Sequence, residues 1–149
     1  MKSEQYLESI RNWRFKIIQL KKLRDEVNDA MIRTQSLSPN PDRVQSSPRA
    51  DKLEMEAIRA VERIAALDKQ IRQSEQKYFE KKHEVIEKIS RMKDGQCRRF
   101  LIDYYLDGLS EAQIKREYKF SNDNSIYVLR RRAIKYFAEV NRKEKQWQK

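Results

Sequence analysis

The stretch from Asn124 to Lys135 is where residue type and spacing come closest to a chemical tool. It holds Asn124, Ser125, Tyr127, Val128 and the basic run Arg130-Arg131-Arg132. Arginine can bond guanine with two parallel hydrogen bonds, asparagine suits adenine, and an aliphatic group can touch a thymine methyl. At 3.6 residues per turn, Ile126, Leu129, Ala133 and Phe137 share one helical face and are expected to be core. The opposite face then carries Asn124, Tyr127, Val128, Arg131 and Lys135, with Arg132 beside it. A helix that reads duplex DNA does so mainly with its N-terminal residues. The expected base-contacting set is therefore Asn124, Ser125, Tyr127, Val128 and Arg131. The expected phosphate-contacting set is Arg130, Arg132 and Lys135, with Lys115 and Arg116 on the preceding helix and Ser110 and Ser121 at helix starts.

Charge supports this reading over a merely solvated basic face. The chain has 149 residues, with 34 Lys and Arg against 23 Asp and Glu, a formal net charge of +11. Residues 126–149 hold eight basic and two acidic residues, so this part alone carries +6. Solubility does not require so large an excess of one sign. The basic residues are not confined to one short amphipathic segment, which argues against a membrane-surface role.

Other chemistries find little support. The chain has one His and one Cys, so a structural zinc site is excluded and no internal disulfide can form. Two Gly are too few for a Gly-rich phosphate loop. His83 lies between charged residues and reads as solvent-facing; Cys97 reads as a small buried apolar residue. The acidic residues are interspersed with Lys and Arg, as helix-surface pairs require. No catalytic constellation, cofactor or metal site is expected. No window approaches 18 uninterrupted apolar residues, and the N-terminus lacks the apolar run of a signal peptide. The expectation is a cytoplasmic binding protein, not an enzyme.

The elements that must position the reading residues follow from punctuation. Gly95 and Gly108 each follow a helical pattern and fit a C-terminal cap. One helix is expected to run to about Leu106 and end at Asp107-Gly108. Ser110 is a good N-cap with Gln113 three residues on, as in a capping box. A short helix, Glu111 to Tyr118, directs Ile114 and Tyr118 inward. A turn, Lys119 to Asn122, leads to a third helix starting near Asp123 or Asn124 and reaching about Val140. Two helices joined by a short turn, the second one basic, form the helix-turn-helix pattern.

The N-terminal part has a different texture. Tyr6, Ile10, Trp13, Ile17, Leu20, Val27 and Met31 alternate spacings of four and three, interrupted by Arg24, over about Ser3 to Thr34. A second heptad seam covers about Ala50 to Lys93, with positions 57, 64, 71, 78, 85 and 92 seven residues apart. Lys81, Lys82 and Lys88 weaken its second half. All three Pro fall within Gln35–Arg49, a Ser-rich stretch that reads as a loop. Leu7, Phe15, Ile18, Leu23 and Ile32 lie off the first seam and call for a further partner, either a second copy or the C-terminal domain. The expected fold is all-α: a long N-terminal antiparallel, coiled-coil-like hairpin over residues 1–94, with a Pro/Ser loop at 35–49, then a three-helix helix-turn-helix domain over 95–141 and a basic tail at 142–149.

The run Phe100-Leu101, Tyr105-Leu106, Asp107-Gly108-Leu109-Ser110, Gln113-Ile114 and Ile126 through Ile134 resembles region four of bacterial sigma factors. With the Val44-Gln45-Ser46-Ser47 loop and Asp51-Lys52, the order of the whole chain is similar to phage and prophage late-operon transcription activators of Gram-positive bacteria, the ArpU and RinA type. The sequence departs from that pattern at three points. Lys119 stands where the turn usually carries Gly, the Phe120-to-Ile126 spacing is one residue longer, and Asp103 occupies a place often apolar or basic. The resemblance implies a sequence-specific double-stranded DNA-binding regulator that activates late genes in a bacterial host cell. It would contact RNA polymerase and pair as a homodimer through its N-terminal helices. Two other readings use the same elements: a phage small terminase subunit, which packages DNA as a ring of many copies, and a helical adaptor that binds RNA polymerase without reading DNA.

Overall fold

The computed structural model describes residues 2–36 and 48–147, and all the regular structure among them is helical. Helix α1 spans Lys2–Ser36 and α2 spans Pro48–Ser90. Helix α3, Gly95–Leu101, runs directly into a single wide π-helical turn, Ile102–Leu106. Helix α4 spans Glu111–Glu117 and α5 spans Asp123–Trp147. The fold is all-α. None of these helices is long and apolar enough to cross a membrane. Residues 37–47, with the Val44–Ser47 motif and two of the prolines, lie outside the described residues. Pro48 opens α2, where a missing backbone N–H costs nothing.

The chain divides into two compact units. One combines the chain up to Phe15 with Gln76 onward; the other is Lys16–Glu75. The division cuts both long helices, whereas the sequence placed its boundary near residue 94. The reason lies in what α1 buries. Leu7, off the expected seam, is fully buried, as is Ile10 on it. The first turns of α1 are thus part of the core that holds α3 to α5.

Within each unit α1 and α2 run antiparallel, because partner numbers fall on α2 as they rise on α1. In the first unit Lys88 lies over the Tyr6 ring, and Lys77 and Lys81 lie over Trp13. In the second, Lys21 pairs with Glu75 at 2.7 Å and Arg24 with Asp68 at 3.2 Å. Arg24, which interrupts the apolar seam, therefore reaches a carboxylate on the facing helix. The expected α2 seam is buried from Leu67 to Met92, including Ser74.

Candidate nucleic-acid interface

The platform for α5 is built by caps and by one irregular turn. Asp94 accepts from the Cys97 amide at 3.0 Å and so starts α3. Gly95 is thus the first residue of that helix and not a C-cap, a correction to the sequence reading. Gly108 does take the left-handed conformation expected of it, φ 73°. The π-helical turn widens the backbone, and other elements take up its carbonyl groups. The Arg11 guanidinium donates to Tyr104 O and Leu109 O while lying over the Tyr104 ring. The Tyr78 hydroxyl donates to Leu106 O at 2.6 Å. Asp103, unusual by its type, accepts from the Tyr118 hydroxyl at 2.7 Å and pairs with Arg99 at 3.4 Å. Burial, and then this bond to Asp103, pushes the Tyr118 phenol well above its ordinary range.

Helix α4 forms as its sequence requires. Ser110 and Gln113 make a reciprocal capping box, with Ser110 Oγ accepting from the Gln113 amide at 3.2 Å. At the other end Phe120 N–H donates to Lys115 O and Lys119 N–H to Arg116 O, a Schellman stop. That stop places Lys119 at φ 57°, the left-handed position where glycine is usual. Asn122 then caps α5 by accepting from the Ser125 amide at 3.1 Å. The start of α5 is thereby fixed at Asp123.

The two faces of α5 separate as its periodicity predicts. Ile126, Leu129, Ala133 and Phe137 are buried, as are Phe100, Tyr105 and Ile114 on the elements that α5 contacts. Asn124, Tyr127, Val128 and Arg131 are exposed together on the other face. Tyr127 and Val128 each keep more than half of their surface, 55% and 53%. The Arg131 guanidinium lies 5.6 Å from the Tyr127 ring centroid. Ser125 is different: it is only part-exposed, and its hydroxyl donates to Asn122 Oδ1 at 3.1 Å, within the cap.

The expected phosphate ligands divide similarly. Arg116 and Lys135 are exposed and form no ion pair among the described residues. Ser121 is exposed just before the α5 cap. Lys115 pairs with Asp123 at 3.2 Å. The Ser110 hydroxyl is used in its capping box. Arg130 is paired to Glu111 and lies over the Tyr104 ring, tying α5 to α4 and to the wide turn. Arg132 donates to Gln96 Oε1 at 2.8 Å and to Cys97 Sγ at 3.4 Å, and sits 3.8 Å from Asp94. Arg130 and Arg132 therefore fasten the fold through long-range partners, unlike Arg116 and Lys135. The long-range partners that hold them were invisible in the local sequence.

Cys97 and His83 occupy contrasting environments. Cys97 is fully buried, and burial pushes its thiol up, away from reactive thiolate. His83 is exposed, with Glu87 3.3 Å away. Among the described residues no group of three or more His, Cys, Asp or Glu is placed to hold a metal ion. No family model, curated protein or solved structure matches this chain.

Proposed function

We propose that this chain is a sequence-specific double-stranded DNA-binding transcription regulator. The first half of α5 docks in the major groove, with Asn124, Tyr127, Val128 and Arg131 facing the bases. One observation carries the reading: these four side chains are exposed together on a helix that buries Ile126, Leu129, Ala133 and Phe137 on its opposite face and whose start is capped by Asn122. Ser121 and Arg116 flank that helix end and serve as phosphate contacts.

By its resemblance to phage late-operon activators, the output is activation of phage or prophage late genes in a bacterial host, with RNA polymerase as the protein partner. Pairing of two copies through the N-terminal helices supplies the second half-site that one such motif lacks. The exposed apolar residues Ile18, Leu23, Ile32, Met55, Ile58 and Val61 in the Lys16–Glu75 unit support that pairing.

The test is Arg131→Glu measured by duplex binding. Arg131 makes no ion pair among the described residues, so the fold is expected to keep its melting temperature. Affinity for duplex DNA should fall by at least about 100-fold, because one base contact is lost and a charge is reversed beside phosphates. Unchanged affinity contradicts the docking. Mass in solution separates the regulator from the packaging reading: a dimer fits the first, a ring of many copies the second.

A further inference from the structure

The exposed face of α5 does not stop where base reading would. Asn124, Val128, Arg131, Lys135, Ala138, Arg142 and Lys145 follow one another at spacings of four and three, one stripe along the whole helix. From its sequence this helix is expected to end near Val140, with residues 142–149 as a tail. Instead α5 continues to Trp147, so Arg142 and Lys145 are held in register with Arg131.

The far half of this stripe forms one wall of a groove of about 680 Å³. The first turns of α1 and the last third of α2 supply the rest, through Lys2, Ser3, Tyr6, Glu84 and Lys88. The floor is apolar, made by the Tyr6 ring, Ile134 and Ala138. The rim is cationic. Lys88 is answered by Glu84 at 3.1 Å. Lys2, Lys135, Arg142 and Lys145 have no ion pair among the described residues. Four like charges converging on one groove repel one another unless an anion is present. Of the neighbouring acids, Glu84 pairs with Lys88 and Glu144 with Arg91, while Glu87 lines an adjoining cavity with Lys145, which leaves Lys2, Lys135 and Arg142 as the cations that line this groove alone.

We propose that this groove is a second DNA contact, holding the sugar-phosphate backbone of the duplex that the first half of α5 reads. The inference rests on that reading. Its geometry is set by helix rise: Lys135 lies roughly 16 Å along the axis from Asn124, and Lys145 about 15 Å further. Along the duplex axis a strand carries one phosphate per about 3.4 Å, and along its own backbone path the spacing is longer, so the span from Lys135 to Lys145 covers roughly two to four phosphates according to how the helix crosses the strand. Continuity of the stripe with the base-reading face selects DNA over an acidic protein segment. The site joins three elements far apart in sequence and assigns Lys2, Arg142 and Lys145 a role in positioning the helix on the duplex.

The experiment uses the full chain with Lys2→Gln, Arg142→Gln and Lys145→Gln together, and Lys143→Gln as a control. Lys143 is exposed on α5 but does not line the groove. Affinity is measured across a salt series, on a duplex selected by the wild-type protein and on a scrambled one. Each lost phosphate contact lowers the salt slope by about 0.9, so the triple variant should lose roughly two to three from it. At about 0.1 M salt its affinity should fall on the order of 100-fold on both duplexes alike, leaving the preference between them unchanged. Each single variant should lose about 0.9, which keeps the test readable should the triple variant be unstable. A slope unchanged in the groove variants, or lowered as much by Lys143→Gln, overturns the proposal while wild-type binding and the Arg131→Glu loss stand. Failure of the wild-type chain to bind any duplex overturns the functional reading itself.

Discussion

The two units solve the same packing problem with different materials. In the unit that carries α3 to α5, Leu7, Val85, Phe100, Leu106 and Phe137 are completely inaccessible. Among the described residues of the Lys16–Glu75 unit, Ile17, Leu67, Ile71 and Ser74 reach burial, all toward one end. Beyond them Val27, Met31, Leu53, Ala57 and Ala60 are only half-buried, around a cavity of about 670 Å³. The cause is side-chain volume. The first unit meets three or more elements with aromatic and branched residues, whereas the second places alanines on a two-helix seam. A two-helix contact with small residues cannot reach the packing density of a core. The comparison teaches where rigidity is concentrated: around α5, not along the Lys16–Glu75 part of the hairpin.

Core truncation should separate the units most strongly. Phe137→Ala is expected to cost about 3–5 kcal/mol, since it deletes a fully buried ring. Met31→Ala, at a half-buried site beside the cavity, should cost less than half of that. Denaturant midpoints at constant m-value measure both. Equal costs would break the comparison.

Filling the loose seam should then bring the units closer. Ala57→Leu adds apolar volume to the cavity lining and should stabilise by about 1 kcal/mol, read as a higher melting temperature. Destabilisation would mean that the seam is already closed in solution.

A smaller gain is expected at Lys119. Its φ of 57° costs an L-residue energy that glycine escapes. Lys119→Gly should stabilise the α4–α5 unit by about 0.5–1 kcal/mol by chemical denaturation. A loss of stability there would contradict the Schellman geometry.

The smallest effect concerns pH. The Cys97 amide first, and then Arg132, hold the Asp94 carboxyl below its ordinary value. A depressed folded-state value means that its contribution is present above the unfolded value, about 3.9, and is lost as pH falls through the folded one. Asp94→Asn keeps a cap acceptor but removes the charge. Its melting temperature should therefore fall below wild type at pH of about 6, with the gap closing toward about pH 3. A gap independent of pH would show that the charge is irrelevant.

Local signals were legible in the sequence and distant ones were not. Ser110 with Gln113 announced the start of α4, the glycine-like role of Lys119 was visible as a departure from pattern, and 126/129/133/137 gave the core face of α5. Those features depend on residues a few positions apart. Leu7 was harder, because a seam read for one partner hides a residue that serves a second. Arg130 and Arg132 looked like surface charges because Glu111 and Gln96, their partners, are 19 and 36 residues away. The length of α5 was underestimated since its last turns are polar and carry no core signal. The groove at its end was invisible for the same reason: residues 2–6, 84–88 and 134–145 share no local pattern.

The central claim is that the first half of α5 reads sequence. The most direct measurement is selection of sites from a pool of random duplexes, followed by affinity for the enriched site against its scrambled version across a salt series. The account predicts one enriched site, a preference of roughly 1,000-fold or more, and a steep salt slope. Equal binding to both duplexes, or no enrichment at all, would contradict it.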